Sequence, residues 1–144
     1  MLKNRAVATL GLAVGLALTG CGGETAEAAP EAAAVVEEIE GESVSRITLT
    51  AHAAERLAIE TAAISEAGPG ELAVPFSAIF WDADGQAWTY TSPETLVFVR
   101  APVVVESVHG DEALLTDGPA AGTTVVTVGV AELYGTETGV GGGH

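Results

Sequence analysis

Short runs in which polar and apolar residues alternate, or in which β-branched and aromatic residues dominate, follow one another from Arg46 to Val128. Such runs are typical of β-strands that bury at least one face. Residues 58–65 fit either a strand or a helix, and we favour a strand. Short strands at this spacing predict a mainly β domain, a single small antiparallel β-barrel or β-roll. The clear runs cover residues 46–50, 72–81, 86–91, 95–100, 103–108, 113–116 and 124–128.

Turn-forming residues separate these strands. The stretch Asp82-Ala83-Asp84-Gly85 lies between two alternating runs, which is a strong signal for a β-hairpin. In the second strand of this hairpin, Trp88 and Tyr90 share one face, because side chains alternate along a strand. Pro75 places the first half of its own run at a sheet edge or a bend, since proline lacks the N–H that an inner strand donates.

One or two short helices complete the predicted domain. The Thr50 hydroxyl can accept a hydrogen bond from the free N–H groups at the start of a helix over residues 51–57. Residues 130–134 are predicted to form a final helical turn.

The N-terminus carries a pattern of its own. Lys3 and Arg5 precede an uncharged apolar run of 14 residues, Ala6–Thr19. This run is shorter than the about 20 residues of a membrane-spanning helix, and it suits a secretory signal peptide over residues 1–20. Its end, Leu18-Thr19-Gly20-Cys21, resembles the lipobox of bacterial lipoproteins. The resemblance implies cleavage after residue 20, lipidation of Cys21, and an extracytoplasmic chain anchored by its N-terminal lipid.

Composition divides the rest of the chain into three parts. Residues 21–43 are rich in Ala, Glu and Gly and contain no base and no aromatic residue. Such a segment buries too little apolar surface to fold on its own. We therefore predict a disordered acidic tether over 21–43, a β-domain over 44–134 and a flexible Gly-rich tail over 135–144.

The charge of the chain disfavours nucleic acid and anionic lipid surfaces as partners. The formal net charge is −15, and removal of residues 1–20 leaves three arginines against 20 acids, or about −17. A surface of this charge repels nucleic acid and anionic lipid headgroups. A basic protein face or a cation is a better match, although a high negative charge also serves solubility alone.

The order of the predicted elements is similar to that of a known family. The opening segment is Arg46–Ile64, and the later segments are a proline-containing strand (74–79), an aromatic strand (86–90), a strand with an aromatic and a basic residue (96–100), a valine-rich strand (102–106), a turn (109–111), a glycine-bounded loop (117–122) and a Val-Val strand ending in Gly129. This order resembles the membrane-proximal β-domain of the periplasmic adaptor subunits, or membrane fusion proteins, of RND-type efflux pumps. The resemblance covers about 90 of the 144 residues.

The chain departs from these adaptors chiefly in what it lacks. A full adaptor places a barrel, a lipoyl-like domain and a long α-helical hairpin between the opening segment and the proline strand, where this chain has only residues 66–70. Pro119 stands where the family usually has Leu. Thr123 stands at the position where, in the family, an Asp often follows the second Gly of this loop. The resemblance therefore implies a reduced adaptor, without the parts that span the periplasm, that docks on an inner-membrane transporter of an efflux system and acts through surface contacts without turnover. A domain retained after its transport role was lost is also compatible with this resemblance.

Four residues are candidates for contacts with such a partner. Phe98 and Arg100 belong to one predicted strand, and Pro75 and Pro102 mark strand edges. Arg100 can equally be a solvated charge at a sheet edge.

Neither catalysis nor metal binding has a recognisable motif. No serine lies in a nucleophile-elbow pattern, and the sequence pairs neither His52 nor His109 with a nucleophile. The histidines share no spacing typical of metal ligands, and the only cysteine is the one predicted to be lipidated. We therefore predict no enzyme activity, no metal site and no cofactor.

An alternative function is a solute- or cation-binding lipoprotein. Its pocket would lie near Trp81, Trp88 and Tyr90, whose large side chains could surround a ligand. Aromatic residues of a hairpin are more often part of a core, because they bury a large apolar area.

The lipid anchor is directly testable. Replacing Cys21 by Ser removes the thiol that receives the lipid, so the variant should incorporate no labelled palmitate and should leave the membrane fraction. Gly23→Ser, just beyond the lipobox, should keep both properties. Continued labelling of Cys21→Ser would contradict the predicted anchor.

Overall fold

A computed structural model of the chain describes residues 32–139. This part of the chain is mainly β, as predicted. Its strands are β1 (Ala34–Glu38), β2 (Ser45–Leu49), β3 (Glu60–Ala63), β4 (Ser65–Gly68), β5 (Glu71–Pro75), β6 (Phe80–Trp81), β7 (Ala87–Glu94), β8 (Val97–Pro102), β9 (Val104–His109), β10 (Glu112–Asp117) and β11 (Thr124–Val128). Its helices are α1 (Ala51–Arg56) and α2 (Val130–Glu137), and a 3₁₀ turn spans Phe76–Ala78.

The strands form two antiparallel sheets. The larger sheet has the order β1-β2-β8-β7-β11-β3, with β6 paired to β7. The smaller sheet has the order β4-β5-β10-β9. The sheets are not closed into a barrel, so the barrel among the two predicted architectures is wrong. Among the described residues, the main path of the larger sheet ends at β1 and β3, and the smaller sheet ends at β4 and β9.

The larger sheet is buried on both faces. Val125 and Val126 are neighbours on β11 and point to opposite sides, yet both are fully buried. On one side Val125 packs with Val74 and Leu115 of the smaller sheet. On the other side Val126 belongs to a cluster formed by the larger sheet, α1 and α2, which we call the helix-side cluster. The domain therefore has three layers, with the larger sheet in the middle.

The opening segment and the later segments are interleaved in this middle layer. β2 pairs with β8, in the register Ile47 opposite Phe98, and β3 pairs with β11, in the register Ala62 opposite Val125. The opening segment thus lies on both sides of strands from the second half of the chain. The two halves are joined by the β4–β5 hairpin, in which Ser65 lies opposite Ala73.

Both predicted boundaries of the domain are wrong. Residues Ala34–Glu38, assigned to the tether, form β1 and pair with β2 in the register Val36 opposite Ile47. Four of the five β1 residues are exposed, as is common in a charged edge strand, so the composition resembles that of a tether. At the other end, α2 continues to Glu137, three residues past the predicted end at 134. The signal peptide, Cys21 and residues 140–144 lie outside the described part of the chain.

The local predictions for caps and turns are confirmed. The Thr50 hydroxyl accepts a hydrogen bond from the Ala53 N–H at 3.1 Å, at the start of α1. The Asp82–Gly85 turn joins β6 to β7. The long run 72–81 is not one strand, because β5 ends at Pro75 and a 3₁₀ turn separates it from β6. Pro75 therefore marks the predicted bend.

Gly129 connects β11 to α2 in a conformation that favours glycine. Its φ is +92°, and a Cβ built on it would lie 2.3 Å from Cδ1 of Ile59. Ile59 packs against the helix-side cluster, so a larger residue at 129 must displace it.

Gly129→Ala should therefore destabilise the domain more than a glycine change that meets open space. Gly110 is the matched control, since its φ is +61° and no atom lies within 4 Å of its Cβ position. Gly110→Ala should cost about 1–2 kcal/mol for the left-handed conformation. Gly129→Ala should cost about 0.5–1.5 kcal/mol more, because the far end of the Ile59 side chain must leave its preferred rotamer. Urea unfolding would measure both values, and equal losses would show that Ile59 does not constrain this position.

Candidate functional site

The carboxylate of Glu137, in the last turn of α2, lies at the centre of a hydrogen-bond network. Its side chain is 5% exposed. It accepts hydrogen bonds from the Tyr90 hydroxyl at 2.5 Å, from Nε of Arg100 at 2.9 Å and from the Ser45 N–H at 3.1 Å. We call these four residues the Glu137 cluster. It joins α2 to β2, β7 and β8.

The guanidinium group of Arg100 makes three contacts with other parts of the protein. Besides its bond to Glu137, its Nη2 donates to the Ser43 carbonyl at 3.1 Å. Its guanidinium carbon lies 4.3 Å from the centre of the Trp88 ring, which is a cation–π contact. Arg100 therefore links β8 to other parts of the fold and is not a solvated charge at a sheet edge.

The network continues from Trp88 to the hairpin turn. The indole N–H of Trp88 donates to Oδ2 of Asp82 at 2.8 Å. The other carboxylate oxygen of Asp82 accepts from the N–H groups of Asp84 and Gln86, at 3.0 and 2.9 Å. The Trp88 bond and these backbone N–H groups stabilise the charged carboxylate and lower the pKa of Asp82. Asp82 thus closes the turn and orients the indole.

Tyr90 lies at the other end of the network. It is fully buried and its ring stacks on Phe80, with centroids 5.2 Å apart. Burial raises the pKa of its hydroxyl far above the ordinary value, and the bond to the Glu137 carboxylate raises it further. The hydroxyl is therefore a permanent donor at neutral pH.

This arrangement suits a structural role better than a chemical one. Each carboxylate oxygen of Glu137 is already bonded, and the cation of Arg100 balances its charge. A catalytic centre needs a position where a reacting atom can approach the charged groups. Here the side chains fill that space themselves.

The four residues predicted to contact a partner differ in how exposed they are in the structure. Phe98 is 2% exposed and belongs to the helix-side cluster, so its prediction as a surface contact is wrong. Arg100 is engaged with Glu137, as described above. Pro75 is half-buried and Pro102 is exposed at the end of β8, so both stay predictions.

The three aromatic residues proposed to line a pocket do not come together around one. Tyr90 has no exposed surface, and Trp88 lies beneath Arg100. Trp81 is 48% exposed and packs against Phe76, with ring centroids 6.0 Å apart. Phe76 and Trp81 form an exposed aromatic pair instead.

One polar pair was missed in the sequence. Oγ of Ser107 lies 3.1 Å from Nε2 of His109. The two residues are i and i+2 on β9 and therefore share a face, which was the available signal. In residues 32–139, no carboxylate bonds the imidazole to orient it as in a hydrolytic triad. His52 is exposed on α1, and the described residues contain no cluster of metal-ligating side chains.

The described part of the chain carries several open grooves, of which two lie beside β3. One, of about 560 Å³, lies between β3 and β5 and is bordered by Ala62, Ala63, Pro75, Asp111 and Glu112. We call it the β3 groove. The other, of about 510 Å³, is lined by apolar residues (Ile59, Leu96 and Phe98 among them), by hydroxyl side chains and by Glu94.

No protein family, curated protein or solved structure matches the chain. Among the described residues, no helix has the length and apolar character required to cross a bilayer.

Because of Tyr90, the free energy of unfolding of the domain should decrease at alkaline pH. Because the folded pKa of Tyr90 is raised, the folded state keeps a proton that the unfolded state loses above about pH 10. The stabilisation is complete below that pH and falls, by up to about 1.4 kcal/mol per pH unit, as the pH rises further. Tyr90→Phe should be less stable near neutrality and should lose this alkaline decline.

Urea unfolding between pH 8 and pH 11 would measure this effect. Tyr134→Phe is the matched control, because it keeps Tyr90 and should keep the decline. An identical alkaline decline in wild type and Tyr90→Phe would assign it to other groups.

Proposed function

We propose that this chain is a lipid-anchored, extracytoplasmic accessory protein that docks on an inner-membrane transporter. In this proposal it is a reduced counterpart of the membrane-proximal domain of RND-type efflux adaptors. It acts through surface contacts and without turnover, because the buried charges of the Glu137 cluster are satisfied internally.

The observation that carries the proposal is the interleaving of the two adaptor-like segments. Residues 46–64 and 74–129 resemble parts of one adaptor domain, and here they pair strand by strand in one sheet through β2–β8 and β3–β11. A domain that hosts a large insertion must have its exit and re-entry points close together. Ser65 and Ala73 are register partners at this junction, and only the short β4–β5 hairpin tip lies between them.

The junction has the properties of an insertion point. The hairpin tip, Ala67–Gly70, is largely exposed and consists of small residues and proline. Exposed tips of this kind tolerate insertion, because no core contact depends on them. In this proposal the chain and the adaptors share one architecture, but only the adaptors carry additional domains at the β4–β5 junction. The shared architecture accounts for the resemblance, and the additional domains account for the difference in length.

The surface is compatible with docking to a protein. Phe76 and Trp81 are 39% and 48% exposed and lie side by side, and Pro102 is exposed at the end of β8. Aromatic residues are enriched where proteins bind each other. The strongly acidic chain favours a partner with a basic face.

Site-specific photo-crosslinking would test the proposal. A photo-reactive phenylalanine analogue at Trp81 or Pro102, in the full-length protein in its native membrane, should crosslink to a subunit of a membrane transporter. The same analogue at Glu55, on the exposed side of α1, is the control and should give a much weaker product. If neither surface position yields a transporter subunit, or all three positions label alike, docking through this surface is excluded.

A further inference from the structure

The β3 groove is formed where the chain passes from one sheet to the other. β3 belongs to the larger sheet, and β4, which follows after one residue, belongs to the smaller sheet. β4 pairs with β5 at Ala73 but does not extend to Pro75. The walls of the groove, β3 and the end of β5, thus both have an unpaired side among the described residues.

The backbone of β3 presents hydrogen-bonding groups to this groove. The Ile64 N–H donates to the Thr123 carbonyl at 2.9 Å, on the β11 side. In an antiparallel pair, the N–H and C=O groups of alternate residues point to alternate sides. Thr61 and Ala63 therefore direct their N–H and C=O groups away from β11, toward the free edge.

The side chains leave room for another strand beside this edge. Ala62, Ala63 and Ala73 border the groove with single methyl groups. Extended chains that pair with a sheet edge use main-chain hydrogen bonds for affinity and side-chain pockets for specificity. The groove volume of about 560 Å³ is within the range of ligand sites.

The charges around the groove favour an occupant with a positive charge. Asp111 and Glu112 are exposed at one end, and Glu60 is exposed at the first residue of β3. None of the three arginines of the described chain borders the groove. Its one other titratable neighbour is His109. A second copy of this acidic chain would bring like charges together, so a basic segment fits better.

We propose that the β3 groove binds an extended, basic peptide segment of another protein, which adds a strand to the free edge of β3. The segment alternates apolar side chains, which lie over the alanines, with basic side chains, which pair with Asp111 and Glu112. This inference is independent of whether the partner is a transporter.

The test uses the purified full-length protein and two fluorescent hexapeptides, Lys-Val-Thr-Val-Lys-Val and Glu-Val-Thr-Val-Glu-Val. Fluorescence anisotropy should detect binding of the basic peptide and at least about tenfold weaker binding of the acidic one. Asp111→Lys with Glu112→Lys should weaken the basic peptide at least about tenfold. Glu37→Lys with Glu38→Lys, on exposed β1, changes the net charge equally and should leave binding within about twofold if the effect is local.

A backbone variant tests the added strand. Ala63→Pro removes an N–H that points away from β11, so the larger sheet keeps its own hydrogen bonds, and proline is tolerated at a sheet edge. It should abolish peptide binding while circular dichroism remains that of the wild type. If it unfolds the protein, the two lysine double variants still decide the question.

Three results would overturn the proposal. The first is no binding of the basic peptide up to about 1 mM, the weak end of measured affinities. The second is equal binding of the two peptides or equal effects of the two lysine double variants. The third is sedimentation showing a wild-type dimer that Ala63→Pro dissociates, since the occupant would then be a second copy.

Discussion

The buried ion pair between Glu137 and Arg100 is the interaction on which the fold most depends. A charged group removed from water is very costly unless its partners are in place, and loss of one member of such a pair typically costs about 3–5 kcal/mol. Here the pair is completed by the Tyr90 hydroxyl and the Ser45 N–H. Because these groups come from α2, β8, β7 and β2, the pair has its partners only when the helix lies on the correctly assembled sheet. Loss of either charge would leave the other buried without a counter-charge, so the pair favours the arrangement in which α2 lies on the assembled sheet.

The same constraint explains which features the sequence could reveal. The Thr50 cap and the Asp82 turn involve groups a few residues apart, and residue type alone identifies them. The Glu137 cluster joins residues that are 37 to 92 positions apart, so no local pattern signals it. Glu137 also follows Gly135 in a stretch whose composition suggests a flexible tail. Only the paired structure distinguishes this glutamate from the exposed ones.

Burial on both faces of the larger sheet accounts for the errors at Phe98 and around the aromatic hairpin. A strand with one wet face alternates, but Val97-Phe98-Val99 and Val125-Val126 are continuous apolar runs. Such runs are typical of strands covered on two sides. Helices α1 and α2 supply the second cover; the sequence predicts α1 as a short helix but α2 only as a final helical turn. With this cover, Trp88 and Tyr90 become supports for Arg100 and Glu137 rather than walls of a pocket.

The contact between Ser45 and Glu137 spans 92 residues, and this has a consequence for how the molecule is made. Contacts across such distances form late, since the intervening chain loses entropy before the contact forms. During synthesis, β2 and β8 can be complete while the carboxylate that links them to α2 has not yet been added. The guanidinium of Arg100 then has no counter-ion, and the middle sheet has one uncovered face. The folded domain is thus available only after Glu137 has been added, and a nascent chain that stops before α2 exposes the surface that this helix covers.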